Sequence, residues 1–220
     1  MGKYLISFTK LGYVKYTSHL DMLRLFKRSF KRAGIELVYS QGFNPHPDMA
    51  FCQPLSLGYE SICELLEFDI NKPMEPEKIM TRLNEIMPKG ISITSCIPLD
   101  DKMKSIASTC YEASYKIEIP TIDRCNHSTE DLLQQYLDQK QIVALKSSKK
   151  HRETKELDIK PKIREIKANI VDNIIIMYTR LDAGSHSNLS PELLISSFCE
   201  FAGIEAARDK AKITRTDLKY

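Results

Sequence analysis

Patterns typical of strands and helices alternate along the first 100 residues in an order that restricts the fold more than any other feature. Strands are indicated where apolar and polar side chains alternate, and helices where apolar residues recur every three to four positions. The strand patterns lie at residues 3–10, 35–40, 55–70 and 91–97, and the helix patterns lie at residues 19–33 and 76–87. The resulting order is β-α-β-β-α-β, which is the split βαβ arrangement.

A similar series follows in the second half of the chain. Strands are predicted at residues 111–119, 142–145, 157–168, 173–181 and 213–218, and helices at residues 128–139 and 191–202. Two such series predict an α+β protein made of two tandem ferredoxin-like (βαββαβ) halves with antiparallel sheets. The predicted domains are residues 1–100 and residues 108–220.

The first predicted helix has clear start and stop signals. Ser18 and Asp21 have the spacing of a capping box, and Gly34 marks the end of the helix. At about 100° per residue, one arc of this helix is apolar and faces a core. That arc contains Leu23, Phe26, Phe30 and Ala33.

The opposite arc of the same helix is strongly basic. It contains Arg24, Lys27, Arg28, Lys31 and Arg32. Cations this close together repel one another and are stabilised by a polyanion, so these five residues are the predicted contacts to nucleic-acid phosphates. The alternative is an ordinary solvated helix face, although such a face normally mixes both signs of charge.

The loop at residues 39–47 is predicted to hold one shape. Gly42 permits a positive φ, and two prolines at positions 45 and 47 fix φ near −65°. A stiff loop loses little entropy when a ligand binds. The candidate ligand-binding residues are Ser40, Gly42, Phe43, Asn44 and His46. The alternative is a rigid connection without a ligand.

Two histidines are candidate catalytic residues, although the residue types alone do not decide the matter. His19 stands in the first turn of the basic helix, where the helix dipole favours a neutral imidazole that can act as a base. Its angular position lies nearer the apolar arc, which favours a core histidine. His46 lies in the stiff loop.

The net charge of +3 conceals a segregation of charge along the chain. Residues 1–50 carry eight basic and three acidic side chains, whereas residues 51–101 carry four basic and nine acidic ones. The balance excludes a generally polycationic nucleic-acid binder and indicates a local basic surface instead.

The sequence contains no pattern for a metal or a cofactor. The six cysteines form no C-x-x-C pair and no His is spaced to complete a zinc site, so reduced thiols are expected. Phosphate-binding loops and nucleophile elbows are also missing. We therefore expect no cofactor and no metal. No apolar run of about 18 residues is present, and residues 1–10 lack the apolar core of a secretory signal, so we expect a cytoplasmic protein without membrane contact.

Several segments resemble the radical-SAM-linked protein family, a bacterial domain fused to or encoded beside radical SAM proteins. They are residues 15–24, 39–47, 54–61, 157–163 and 190–194. The resemblance implies a context and not a reaction, and because the chain lacks a radical SAM cluster motif, the implied radical SAM partner would act in trans. The chain departs from the family at Asp48, where a basic residue is usual, and at residues 184–187, where more glycine is expected.

The architecture and His19 are also similar to CRISPR RNA-processing endonucleases, many of which use a histidine near their first helix. The Gly-rich loop with which those proteins typically end is not found here.

Three functions remain open from the sequence. The first is a non-catalytic module that binds structured RNA (tRNA or rRNA) or another substrate for a radical SAM partner. The second is a metal-independent RNA-processing endonuclease with His19 or His46 as general base. The third is a protein-interaction scaffold whose acidic residues 51–101, including Glu64 and Glu67, dock on a basic partner.

Overall fold

The protein has a mixed α+β fold, which confirms the predicted class. The computed structural model describes residues 1–100, 102–122, 129–147 and 154–220. They divide into two compact units, Met1–Cys110 together with Tyr220, and Tyr111–Lys219. Each unit contains helices and an antiparallel sheet. Among the described residues, no helix is both long and apolar enough to cross a membrane.

The first unit is built on a sheet with the strand order β4-β1-β3-β2. Its strands are β1 (Gly2–Lys10), β2 (Met49–Phe51), β3 (Glu60–Ile70) and β4 (Ile93–Leu99), and its helices are α1 (His19–Arg32), α2 (Pro76–Asn84) and α3 (Ile106–Thr109). β1 pairs antiparallel with β3 and β4, and β2 pairs antiparallel with β3. A single 3-10 turn, Gly12–Tyr16, connects β1 to α1.

Aromatic side chains join α1 to the sheet of the first unit. Phe26 and Phe30 of α1 are completely buried, and their ring centres lie 4.8 Å from that of Phe8 and 4.6 Å from that of Phe68, respectively. Each such side chain contributes roughly 1.5–3 kcal/mol when it leaves water. This packing fixes which face of α1 is turned outward.

The strand predicted at residues 35–40 is wrong. Those residues form only isolated bridges, Leu37 with Ile70 and Tyr39 with Pro47, and the strand β2 lies between the strands predicted at residues 35–40 and 55–70, where no strand is predicted. The position along β3 explains the difference. Leu37 lies beside Ile70, the last residue of β3, whereas Met49 pairs with Phe68 inside that strand. β propensity alone does not supply a partner strand.

The second unit has the strand order β10-β5-β9-β8 and a separate hairpin, β6-β7. Its strands are β5 (Glu112–Pro120), β6 (Val143–Ser147), β7 (Thr154–Asp158), β8 (Ile163–Val171), β9 (Ile174–Asp182) and β10 (Lys212–Lys219), and its helices are α4 (Thr129–Asp138) and α5 (Pro191–Ala202). β5 pairs antiparallel with β9 and β10, and β8 pairs antiparallel with β9.

The single strand predicted at residues 157–168 is two strands in the structure. β7 ends at Asp158 and β8 begins at Ile163, with a short 3-10 turn at Lys160–Lys162 between them. Pro161 lies in that turn, and because proline has no backbone N–H it interrupts a ladder of strand hydrogen bonds. The predicted helix start at residue 128 lies outside the described residues.

Candidate functional site

The start of α1 is fixed by the capping pair that the sequence predicts. The backbone N–H of Asp21 donates to Ser18 Oγ at 3.2 Å, and the Ser18 hydroxyl donates to the Asp21 carboxylate at 2.7 Å. Arg24 donates to the same carboxylate at 2.8 Å. The hydrogen bond from Ser18 and then the one from Arg24 hold the pKa of Asp21 below its usual value. The cap therefore orients the first cation of the basic arc.

The basic arc of α1 faces outward, as its angular spacing predicts. The exposed cations are Arg24, Lys27, Arg28, Lys31 and Arg32. Apart from the pair of Arg24 with Asp21, none of these five side chains forms a salt bridge with another described residue. Asp21 is also the sole acidic residue in the sequence of α1. The result is a concentrated positive surface on one helix face.

A groove of about 860 Å³ runs beside this surface. The cations Arg24, Lys27, Arg28 and Lys31 line it from α1. Ile35, Glu36, Leu37 and Tyr39 line it from the segment that follows the helix, and of these Ile35 and Leu37 are only 3% and 6% exposed. The groove thus combines a cationic wall with one carboxylate and one aromatic ring.

A second groove, of about 470 Å³, shares two of those cations. Arg24 and Lys27 line both grooves, and here they are joined by His46 and Pro47 of the loop. The Lys27 ammonium also lies 5.4 Å from the centre of the Tyr39 ring. The structure therefore brings the basic arc and the loop at residues 39–47 together.

The loop at residues 39–47 is closed by two reciprocal hydrogen bonds. The Ser40 N–H donates to the His46 carbonyl at 2.9 Å, and the His46 N–H donates to Ser40 Oγ at 3.0 Å. Gly42 has a φ of 132°, which a residue with a side chain rarely adopts. Asn44 is exposed, and Phe43 is fully exposed at 112%. The closed base presents these two side chains at the tip of the loop.

The histidines do not meet in one cavity. His46 lines the second groove, whereas His19 lines a smaller cavity with Lys10 and Glu64. The prediction that His19 is a core histidine is wrong, because the residue is exposed, although the centre of its ring lies 5.4 Å from that of Phe51. His19 is exposed because it is the first residue of α1 and lies beyond the buried part of the helix.

Comparison with known protein families assigns the chain to one of them. Residues 3–191 match the family described as an uncharacterised protein conserved in bacteria, DUF2344. The chain belongs to this family. The match includes α1 with its basic arc, the loop at residues 39–47 and the cavity beside His19, and it ends at the first residue of α5. No curated protein matches the chain.

Among solved structures, this DUF2344 chain is similar in fold to a chain of a Cbf5-Nop10-Gar1 complex. The TM-score is 0.52 at 8% identity, over 98% of this chain and 48% of the other. The protein thus spans about half the length of that chain, and the likeness is one of fold alone. A chain of an unknown protein from Galdieria sulphuraria aligns with a TM-score of 0.28 at 11% identity, over 97% of this chain and 98% of that one.

The cavity beside His19 contains charged residues that sequence analysis missed. Lys10 and Glu64 are only 3% and 4% exposed, and both line this cavity of about 20 Å³. The Lys10 ammonium donates to the Thr17 carbonyl at 2.9 Å, just before the cap of α1. A signal was present in the sequence, because Lys10 continues the alternation of Ile6 and Phe8 at a position where an apolar residue is expected.

Glu64 and Glu67, the two carboxylates named in the scaffold hypothesis, are largely buried, whereas Glu75, Glu77 and Glu85 of the same acidic segment are exposed. Glu64 is buried, and Glu67 pairs with Lys3 at 2.7 Å while it accepts a hydrogen bond from the Ile106 N–H at 2.8 Å. Both carboxylates thus lie mostly inside the first unit. Among the described residues, no group of His, Cys, Asp or Glu side chains is arranged to hold a metal ion.

Proposed function

We propose that this protein is an RNA-binding accessory module that acts in trans with a radical SAM protein. The observation that carries the proposal is the basic arc of α1, four of whose cations line a groove of about 860 Å³ that also contains one carboxylate, Glu36. Among the described residues, Arg24 is the one cation of the arc that forms a salt bridge. Such a surface gains free energy from phosphates because bound counterions are released. Support for the radical SAM partner comes from the sequence resemblance alone.

The architecture fits such a module. We propose that each unit is a ferredoxin-like split βαβ domain, because strand orders β4-β1-β3-β2 and β10-β5-β9-β8 both place the first strand beside the third and the last. In the first unit, α1 lies between β1 and β2 in the chain, as a crossover helix does. The insertion in the second unit is the hairpin β6-β7.

Salt dependence of RNA binding tests the proposal. The variant Lys27→Glu/Arg28→Glu/Lys31→Glu reverses three charges of the basic arc. A matched control, Lys72→Glu/Lys78→Glu/Lys89→Glu, makes the same change in net charge at three exposed lysines of the same unit. We expect weaker binding by the first variant, and a log–log salt slope reduced in magnitude by about 2 for single-stranded RNA.

The control variant is expected to keep most of the wild-type affinity and slope. Equal loss in both variants would show that net charge, and not the groove, governs binding. Wild-type binding that does not respond to salt, or no RNA binding at all, would contradict the proposal. For the partner, co-purification with the radical SAM proteins of the same organism is the direct measurement, and absence of any such protein from the purified complex would contradict this part of the proposal.

A second candidate function is RNA cleavage at His19. It is favoured by the cavity in which His19 stands beside the buried Lys10 and Glu64, because buried charged groups beside a histidine are frequent in active sites. In this reaction His19 would take the proton of a 2′-hydroxyl. Incubation of RNA with His19→Ala and His46→Ala decides it: cleavage lost in His19→Ala and retained in His46→Ala supports this function, and cleavage unchanged in both excludes it.

A further inference from the structure

The apolar ring of Phe43 is fully exposed to water, which is unfavourable for a side chain without a partner. Its side chain is 112% exposed at the tip of the loop at residues 39–47, and in the part of the chain that the structure describes no other aromatic ring contacts it. The reciprocal hydrogen bonds of Ser40 and His46 close the loop below it. Pro45 and Pro47 restrict the backbone on one side of the tip. An apolar ring is therefore presented on a stiff support, which reduces the entropy lost when a flat partner stacks on it.

A second aromatic ring lies beside the basic arc. Tyr39 is 40% exposed, and the Lys27 ammonium sits over its ring. The loop that carries Phe43 reaches the same cations, because His46 and Pro47 line a groove with Arg24 and Lys27. Cations and aromatic rings thus belong to one helix-loop surface, whereas a site for phosphates alone needs only the cations.

Unpaired nucleotides satisfy both kinds of surface at once. Bases of single strands stack on aromatic side chains while their phosphates pair with nearby cations. In a duplex the bases are already stacked on each other, and RNA duplexes are recognised mainly through phosphates and 2′-hydroxyls. A duplex would leave the exposed ring of Phe43 without a stacking partner.

The length of the cationic face points the same way. Arg24 and Arg32, the first and last cations of the basic arc, are eight positions apart on α1, which corresponds to about 12 Å along the axis. Double-stranded RNA-binding domains span about 16 base pairs and contact two successive minor grooves. The basic arc is long enough for a few nucleotides of a single strand and too short for such a duplex footprint.

We infer that the RNA bound at this surface is single-stranded, and that Phe43 is the platform on which one of its bases stacks. This inference rests on the proposed function, and it adds the substrate class and a residue that makes no phosphate contact. The cations of α1 supply affinity that depends on salt. Phe43 supplies affinity that depends on the presence of a base.

The test uses the full chain and three labelled probes of equal length: an unstructured RNA oligonucleotide, the same oligonucleotide with abasic positions, and an RNA duplex. The variants are Phe43→Ala and Phe43→Trp, with Leu57→Ala as a control at another exposed apolar residue of the first unit. Each variant is compared with wild type by circular dichroism to confirm folding. An acidic peptide of equal charge serves as a fourth probe.

We expect Phe43→Ala to weaken binding of the unstructured oligonucleotide by about 5- to 150-fold, the usual range for loss of one stacked base. Phe43→Trp and Leu57→Ala should bind like wild type. The abasic probe should bind weakly to wild type and be insensitive to Phe43→Ala. The salt slope should be the same for Phe43→Ala and wild type, because no phosphate contact is lost.

Several results would overturn the inference. If duplex and single strand bind equally well and Phe43→Ala changes neither affinity, the stacking platform is wrong although the basic arc still binds RNA. Tighter binding of the acidic peptide than of the oligonucleotide would assign the surface to a protein partner. Failure of the proposed function itself is recognised separately, because wild type would then bind none of the three RNA probes.

Discussion

Lys27 of α1 and Tyr39 of the following loop are joined by a cation–π contact in which the ammonium lies 5.4 Å from the ring centre. The contact connects the basic arc to the residue at which the loop begins. It also places one cation between the two grooves, since Lys27 lines both. The contact between α1 and the loop at residues 39–47 thus belongs to the candidate site.

The first prediction concerns this contact. Urea unfolding of Lys27→Met, Tyr39→Leu and the double variant should give a coupling free energy of about 0.5–1 kcal/mol, the usual value for a cation–π pair near the surface. Strictly additive effects of the two substitutions would show that the ammonium and the ring do not interact in solution.

The second prediction concerns the closure of the loop. In Ser40→Ala the His46 N–H loses its acceptor, so hydrogen exchange at this amide should be faster than in wild type. The hydroxyl of Ser40→Thr is expected to preserve the protection. The binding of unstructured RNA should weaken in Ser40→Ala without a change in the salt slope, because a looser loop loses more entropy on binding. Equal exchange rates in wild type and both variants would contradict this account.

The third prediction is a pH dependence that originates at Asp21. Its pKa is lowered from the usual 3.8 by the Ser18 hydroxyl and by Arg24. A carboxyl whose folded pKa lies below the unfolded one stabilises the protein fully above the unfolded pKa and loses that contribution as the pH falls through the folded pKa. The stability difference between wild type and Asp21→Asn should therefore shrink between about pH 5 and pH 2. A difference that stays constant over this range would contradict the prediction.

Local sequence signals predicted the elements that depend on local interactions. The helix α1, its cap at Ser18 and its outward basic arc are confirmed because capping and 3.6-residue periodicity are properties of neighbouring residues. The strand at residues 35–40 was wrong because strand pairing depends on a partner far away in sequence. The exposure of His19 was missed because its angular position does not show that the first residue of α1 lies beyond the buried part of the helix. The burial of Lys10 was missed although Lys10 continues the alternation of Ile6 and Phe8.

The fourth prediction concerns the reactivity of two thiols in the first unit. Burial, with a smaller contribution from the nearby Glu77, raises the pKa of Cys96 to about 12, so its thiol stays protonated at neutral and mildly alkaline pH. Cys63 is partly exposed. Iodoacetamide labelling followed by peptide mass spectrometry should modify Cys63 well before Cys96 in the folded protein, and both at similar rates in urea. Equally fast labelling of both in the folded protein would contradict the burial of Cys96.

The last prediction concerns Asn84, which holds the end of α2 to the start of β4. Its amide donates to the Ile93 carbonyl at 3.0 Å, and the Ile93 N–H donates to its Oδ1 at 2.7 Å. Because Ile93 is 3% exposed, truncation of Asn84 leaves two main-chain groups at a buried residue without these partners.

Asn84 itself is exposed, so Asn84→Ala is expected to lower the free energy of unfolding by about 1–3 kcal/mol, the net contribution of two hydrogen bonds at roughly 0.5–1.5 kcal/mol each. Asn84→Asp keeps the acceptor for the Ile93 N–H and loses the donor, so its loss should be smaller. Urea unfolding at neutral pH measures both. An Asn84→Ala variant as stable as wild type would show that water replaces the side chain at no cost, and the order of the two variants separates the donor from the acceptor contribution.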